Sequence, residues 1–208
     1  MQGDIDGEAT LSELPGNAPA RKLGTMLPTC FLIRPTEAYR DSYLEALREG
    51  FNFTSPTPLD ATAIDLIEAE FTRYLWTLDH WGQTRVSYRD REFPSVPSNS
   101  FWLVDRSQFI GAVSIRSRID IPILARFSGH IGFGVRPSLR RRGYGRRQLA
   151  LALDVCRGMG LGVVRLSCGE DNLGSRRAIE KNGGALLRRC PPDWYVDAPF
   201  LLYEIILI

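Results

Sequence analysis

Gly129-His130-Ile131-Gly132-Phe133-Gly134-Val135-Arg136-Pro137-Ser138-Leu139-Arg140-Arg141-Arg142-Gly143-Tyr144-Gly145 is the stretch on which the fold turns. In its first half Ile131, Phe133 and Val135 alternate with glycine, the period of a strand, and Pro137 ends the run. Beyond it, Leu149, Ala152, Leu153 and Cys156 recur at helical spacing, so residues 145–156 read as a helix. A helix start exposes unpaired backbone N–H groups and the positive end of the helix dipole. Glycines at 143 and 145 let an anion approach those groups, and Arg140, Arg141, Arg142, Arg146 and Arg147 surround the point with charge. The turn reads as a diphosphate cradle, although a glycine-rich turn with a solvated arginine face has the same letters. Neither a Walker-type loop nor a Gly-x-Gly-x-x-Gly fingerprint is present, because Gly143 and Gly145 are followed by Gln148.

Upstream, residues 30–34 form a short strand stopped by Pro35. Thr36 is placed to cap a helix with Tyr39, Tyr43, Leu44 and Leu47 on one stripe, ending at Gly50. Pro56 and Pro58 make 51–59 a loop. Asp60 then caps a longer helix whose Ile64, Ile67, Phe71, Tyr74, Leu75 and Leu78 keep helical spacing. Residues 94–100 read as another loop, and 101–104 with 109–116 as a hairpin. Downstream, 163–168 is a strand, 175–182 a short helix closed by Gly183-Gly184, and two strands finish the chain. Interleaved helices and strands with a central hairpin predict one α/β domain with a mixed sheet over 29–208. Residues 1–28 lack periodicity and read as a loosely ordered N-terminal extension.

The 208 residues carry a net charge of only +2. Segment 121–153 nevertheless has no Asp or Glu and seven arginines, leaving the rest at 2 minus 7, or −5. A broadly basic nucleic-acid surface is not expected from that balance. Lys22 and Lys181 are the only lysines, so arginine is a habit of the whole chain and each one needs positional support. No apolar run is long enough for a membrane-spanning helix, and Glu204 interrupts the most apolar stretch, 200–208. The first fourteen residues are acidic and lack the pattern of a secretory signal. Cys30, Cys156, Cys168 and Cys190, with only His80 and His130 for company, offer neither metal-ligand spacing nor a disulfide framework. A reduced, cytoplasmic setting is the expectation.

Arg140-Arg141-Arg142-Gly143-Tyr144-Gly145 matches Arg/Gln-x-x-Gly-x-Gly/Ala, the signature of the GNAT superfamily of N-acetyltransferases. With the preceding strand 129–137 and Asn172-Leu173-Gly174-Ser175 after the next strand, residues 101–208 resemble that superfamily. Gly129-His130-Ile131-Gly132 and Glu180-Lys181-Asn182-Gly183-Gly184 further resemble a bacterial subgroup known mainly as predicted acetyltransferases. The resemblance implies a GNAT-like single domain, with a mixed, mostly antiparallel central sheet flanked by helices. It implies acetyl-CoA as co-substrate without a metal, and direct attack by a primary amine of a small molecule or peptide. Residue by residue, the backbone of Phe133 and Val135 would pair with the pantetheine arm. The amides of Arg141, Arg142, Gly143, Tyr144, Gly145 and Arg146 would hold the diphosphate, with Arg140 as the side-chain match. Asn172 would contact the arm near the thioester and Ser175 farther along it. Taken by themselves, both residues equally suit capping of the short helix that follows.

Acetyl transfer needs a neutral amine, a route for its proton and a polarised carbonyl. Many members of the superfamily place a tyrosine seven residues after the asparagine to protonate the leaving thiolate, and here that position is Ile179. Tyr195, Tyr203 or solvent are the replacements. Glu170, Asp171 and His130 are the base candidates, against plainer readings as a solvated turn and a structural histidine. Cys168 reads as a strand cysteine, and Arg116 and Arg118 either meet an acceptor carboxylate or lie on the surface. Trp76, Trp81 and Trp102 read as core and rim. The acceptor site is expected from the early helices and the segments 51–60 and 82–100. The main alternative is a module of the same fold that binds acetyl-CoA without turnover; another acyl donor or an alcohol acceptor also fits. Nucleic-acid binding would leave the glycine spacing unexplained. The apolar last strand leaves a homodimer open.

Overall fold

The computed structural model describes residues 29–53, 57–80, 86–88, 91–93, 96–121, 124–192 and 197–207. The extension expected over 1–28, Trp81 and Tyr195 lie outside them. In chain order the elements are β1 (Phe31–Ile33), α1 (Arg40–Arg48), α2 (Ala61–Ala69), α3 (Phe71–Asp79), β2 (Val86–Tyr88), β3 (Arg91–Phe93), β4 (Ser98–Asp105), β5 (Gln108–Arg116), β6 (Ile131–Val135), α4 (Tyr144–Gly158), β7 (Val163–Gly169), α5 (Leu173–Glu180), β8 (Ala185–Cys190) and β9 (Phe200–Ile206).

Two antiparallel sheets, β1-β4-β5-β6 and β7-β9-β8, make the central layer, while β2 and β3 pair with each other. The mixed α/β class with mostly antiparallel strands is therefore as expected. The two larger sheets meet at the start of β6. Gly129 bridges Leu166, the His130 N–H donates to the Arg165 carbonyl at 2.7 Å, and the Arg165 N–H donates to His130 Nδ1 at 3.0 Å. Gly129 has φ +81°, and a Cβ there would stand 2.2 Å from the Arg165 carbonyl oxygen, so the junction requires glycine. Past this junction the facing edges of β6 and β7 have no strand partner among the described residues. Both strands then lead to helix starts, α4 and α5.

Each face of the first sheet has its own core. On one side Trp102, Val104, Phe109 and Ala112 pack against Tyr43, Leu44, Leu47, Phe51, Ile64 and Phe71, with the Tyr43 and Trp102 rings stacked at 4.6 Å. On the other, Val113, Ile115 and Ile131 meet Leu149, Ala152, Leu153 and Cys156 of α4, and the cluster runs on into Leu166, Ile179, Leu201 and Tyr203. At about 1.5–3 kcal/mol for each large apolar side chain removed from water, these two clusters dominate the favourable side of folding.

Three local expectations change. Thr36 makes no side-chain cap; a 3-10 turn over Glu37–Tyr39 intervenes and α1 begins at Arg40. Asp60 does cap α2, accepting from the Ala63 N–H at 2.8 Å, but the long helix breaks at Glu70 (φ −113°, ψ 35°). Apolar periodicity runs on across that single non-helical residue, which is why spacing misses the break. Residues 98–100, expected as loop, are strand, because Ser98, Asn99 and Ser100 pair with Arg116, Ile115 and Ser114. Polar letters hid a sheet position that the backbone ladder supplies.

Candidate active site

The turn into α4 is built to leave backbone donors free. Arg141 (φ +62°) and Gly143 (φ +88°) both take left-handed conformations, and the N-cap, Gly143, has no side chain to close the helix. Among the described residues, no N–H from 141 to 146 donates to a protein acceptor, while Arg140 N–H is tied to Pro137 and Arg147 N–H to Gly143. Arg140, Arg141, Arg142 and Arg146 are exposed around this opening. Arg140 also folds back, its Nε donating to the Val135 carbonyl at 3.0 Å, so it braces the turn against the end of β6. Tyr144 is half-buried, packed on the cluster of Cys30, Leu103, Ile110 and Leu139.

A long-range clasp holds the start of this turn. Arg136 is 3% exposed, and its guanidinium is gripped by Glu49 just past α1, with further bonds to Ser42 and the Phe109 carbonyl. Glu49 also accepts from the Ser138 N–H at 3.3 Å. The Arg136 guanidinium beside it, foremost through hydrogen bonding, holds the Glu49 carboxyl down to about 2. Sequence reading counted Arg136 among the seven arginines and missed Glu49. They stand 87 positions apart in the chain, and no local pattern announces the pair.

At the other edge of the opening, Asn172 is the N-cap of α5, its Oδ1 accepting from the Ser175 N–H at 3.1 Å. Capping and cofactor contact are compatible, because the Asn172 amide nitrogen and the Ser175 hydroxyl are not used by the cap. Asn182, in the turn after α5, donates to the Arg146 carbonyl at 3.1 Å and ties the two helices together. The opening between β6 and β7 thus presents the β6 edge at Phe133 and Val135 and the starts of α4 and α5.

The candidate proton-transfer groups divide. Glu170 is bound by Arg189 through both oxygens, at 2.7 and 2.8 Å, and that bonding lowers its pKa, which weakens it as a base. Asp171 is exposed beside it and has no such arginine among the described residues. His130 is 8% exposed, its Nδ1 accepts a backbone N–H, and burial lowers its pKa, so it is a neutral joint between the sheets. Ile179 is fully buried in the core. Tyr203 is 1% exposed and donates to Glu180 at 3.1 Å. Burial pushes the Cys168 thiol up to about 11, leaving it a poor nucleophile. Arg118 pairs with Asp120 at 3.1 Å on the surface.

On the opposite side of β6, Gly132 and Gly134 leave the strand bare, and the ring of Phe53 stands over both. Next to Phe53 a cavity of about 130 Å³ lies among Tyr43, Tyr74, Leu78, Trp102 and Ala112. It falls where the early helices and the 51–60 segment were expected to form the acceptor site. A wider hollow of about 570 Å³ at the start of α1, beside Glu37, Asp41 and Ser107, contains none of the expected site residues.

Comparison with known proteins supplies the family. The model of the acetyltransferase (GNAT) family matches residues 62–184. Comparison of the sequence with curated proteins finds no match. Among solved structures, the chain is similar to the Salmonella typhimurium acetyltransferase that modifies the N-terminal serine of ribosomal protein L7/L12, with TM-score 0.57, 11% identity, and 86% of this chain and 95% of that one covered. It is also similar to the spermidine/spermine N-acetyltransferase SpeG from Vibrio cholerae, with TM-score 0.54, 14% identity, and 86% and 95% covered. A third is the microcin C7 self-immunity acetyltransferase MccE in complex with acetyl-CoA and AMP, with TM-score 0.53, 12% identity, and 85% and 92% covered. At these identities the likeness is one of fold.

Proposed function

We propose that this chain, which belongs to the acetyltransferase (GNAT) family, moves an acetyl group from acetyl-CoA to a primary amine by direct attack. The observation that carries the reading is the α4 start: an uncapped helix with two left-handed residues and free N–H groups from 141 to 146. Such a set of donors suits a diphosphate. Its fit is improved by Gly143, whose left-handed φ of +88° would strain a residue with a side chain. The edge of β6 at Phe133 and the Val135 N–H offers strand-like hydrogen bonds to a pantetheine arm, the Val135 carbonyl being held by Arg140, and Asn172 and Ser175 close the other side.

Bound acetyl-CoA supplies an activated acyl group whose thiolate leaves. This chain's residues then have three tasks: to hold the thioester in the opening, to admit the amine past Phe53 on the glycine face of β6, and to let the amine's proton out. Asp171 at the mouth is the carboxylate placed to take that proton, since Glu170 is occupied by Arg189. With Ile179 in the core and Tyr203 turned toward Glu180, protonation of the leaving thiolate falls to solvent or to Tyr195, which lies outside the described residues. Positioning supplies much of the rate in such a site.

The buried Ile179 also keeps a second reading in play, a module that binds acetyl-CoA without turnover. One experiment separates the two. Saturating acetyl-CoA should raise Tm by about 5–10 °C. Thiol release should then depend on acceptor in a panel of amines, amino acids, polyamines and peptide N-termini. A Tm rise without acceptor-dependent release from any of them would favour the binding module.

A further inference from the structure

The cavity beside Phe53 has a wall chemistry that selects a class of acceptor. Among the described residues its lining holds no Asp, Glu, Lys or Arg. Its polar groups already have partners. The Tyr43 and Tyr74 hydroxyls bond each other at 2.6 Å, the Thr77 hydroxyl donates to the Tyr74 carbonyl at 2.7 Å, and the Ser100 hydroxyl donates to the Leu78 carbonyl at 2.8 Å. The Asn52 amide donates to the Thr57 carbonyl at 2.6 Å. Burial pushes both tyrosines up, so they stay neutral. A polycation placed here would lose its water and gain no counter-charge, whereas an apolar group loses nothing. The size also decides: about 130 Å³ is close to the roughly 150 Å³ cavity that takes one benzene.

One polar group on this face lacks a partner. Ser114 is 5% exposed, and among the described residues its hydroxyl meets no hydrogen-bonding atom. It shares the cavity-facing side of β5 with Ala112, and its cross-strand neighbours are Ser100, which lines the cavity, and the bare Gly132. A buried hydroxyl left unbonded costs stability, and a ligand that satisfies it recovers that cost. Ala112 and Ser114 are two residues apart, about 7 Å along the strand, the span from a ring centre to an amine on an arm of two or three carbons.

We infer that the acceptor is a primary amine joined by a short arm to a single aromatic ring, the ring seated in this cavity and the amine nitrogen directed along β5 toward Ser114 Oγ. This rests on the acetyltransferase reading for its chemistry and on the cavity for its selectivity. The stacked pair of Tyr43 and Trp102 and the neighbouring Tyr74 form the aromatic wall for the ring, and Phe53 lines the side toward β6. Polyamines are excluded by the missing carboxylates, in contrast to the substrate named for SpeG.

Phenethylamine and spermidine are the probes. With acetyl-CoA present, phenethylamine should be acetylated with a KM about tenfold below that of spermidine. Ala112→Ile, which fills the floor, and Thr77→Trp, which blocks the exposed rim without touching the core, should each raise the phenethylamine KM about tenfold and leave the acetyl-CoA Tm shift unchanged. Ser114→Ala should raise it about fivefold with the shift again intact. Saturation-transfer NMR on phenethylamine, run without acetyl-CoA, should mark its ring protons in the wild type and lose that signal in Thr77→Trp. Preference for spermidine, or phenethylamine binding indifferent to both filling variants, would overturn the inference. Loss of the acetyl-CoA Tm shift in the wild type would instead overturn the acetyltransferase reading, and the NMR signal would still judge the cavity.

Discussion

The starts of α4 and α5 face the same opening and are finished in opposite ways. At α5 the chain satisfies itself, because Asn172 accepts from the Ser175 N–H three residues on. At α4 the cap position is a left-handed glycine, the donors from 141 to 146 are left open, and the turn is held from outside by Glu49 acting through Arg136 and Ser138. A helix start that caps itself is complete before any ligand arrives. One that is clamped at a distance and left uncapped keeps its donors for an anion, and gives up local stability for the sake of binding.

The sharpest way to break this contrast is at the clamp. Glu49→Ala removes the hydrogen-bonded carboxylate from the buried guanidinium of Arg136, leaving only Glu45 at 3.7 Å, and should cost about 3 kcal/mol in urea unfolding. The sign of its pH dependence follows from the depressed carboxyl. The folded pKa lies below the unfolded one, so the Glu49 contribution is full above about 4.5 and is lost as pH falls toward about 2. That part of the acid limb should vanish from the stability profile of Glu49→Gln. Next comes the open turn itself. Gly143→Asp places a carboxylate among the free donors, and should weaken acetyl-CoA by about a hundredfold, or about 2.7 kcal/mol, in calorimetric titration. A Tm shift unchanged in that variant would remove the diphosphate assignment. The smallest effect belongs to the self-capped helix. Asn172→Ala should lose about 1 kcal/mol of stability, whereas Asn172→Asp, which keeps the capping oxygen, should lose little. A larger loss of acetyl-CoA affinity than of stability in Asn172→Ala would show that its amide nitrogen also holds the pantetheine arm.

Much of the contrast is visible in the letters, and the reason is range. Alternating Ile131, Phe133 and Val135, the two glycines and the helical stripe on α4 are local signals, each set by neighbours within one or two turns. Asn172 three residues before Ser175 is likewise a local cap. Asp60 was legible in the same way. The break at Glu70 was not, since one non-helical residue leaves the apolar spacing almost undisturbed. Nor was the strand over 98–100, whose partners across β5 are set by the ladder rather than by its own polar residues. His130 shows how tertiary contacts settle an ambiguous letter: its Nδ1 accepts from Arg165, which makes it a joint between sheets and leaves it unsuited to proton transfer.

By itself, then, the sequence determined the strand–turn–helix unit, the α/β class and the family signature, because periodicity and glycine placement act over short stretches of chain. Tertiary structure alone decided the opening between the sheets, which depends on Gly129 meeting Arg165 and Leu166. It also decided that Glu49 would anchor Arg136, that Glu170 would be spent on Arg189, and that a neutral aromatic cavity would lie beside the bare face of β6. Each of these joins residues far apart in the chain, and such contacts are selected by packing and charge pairing only once the sheets and helices have come together.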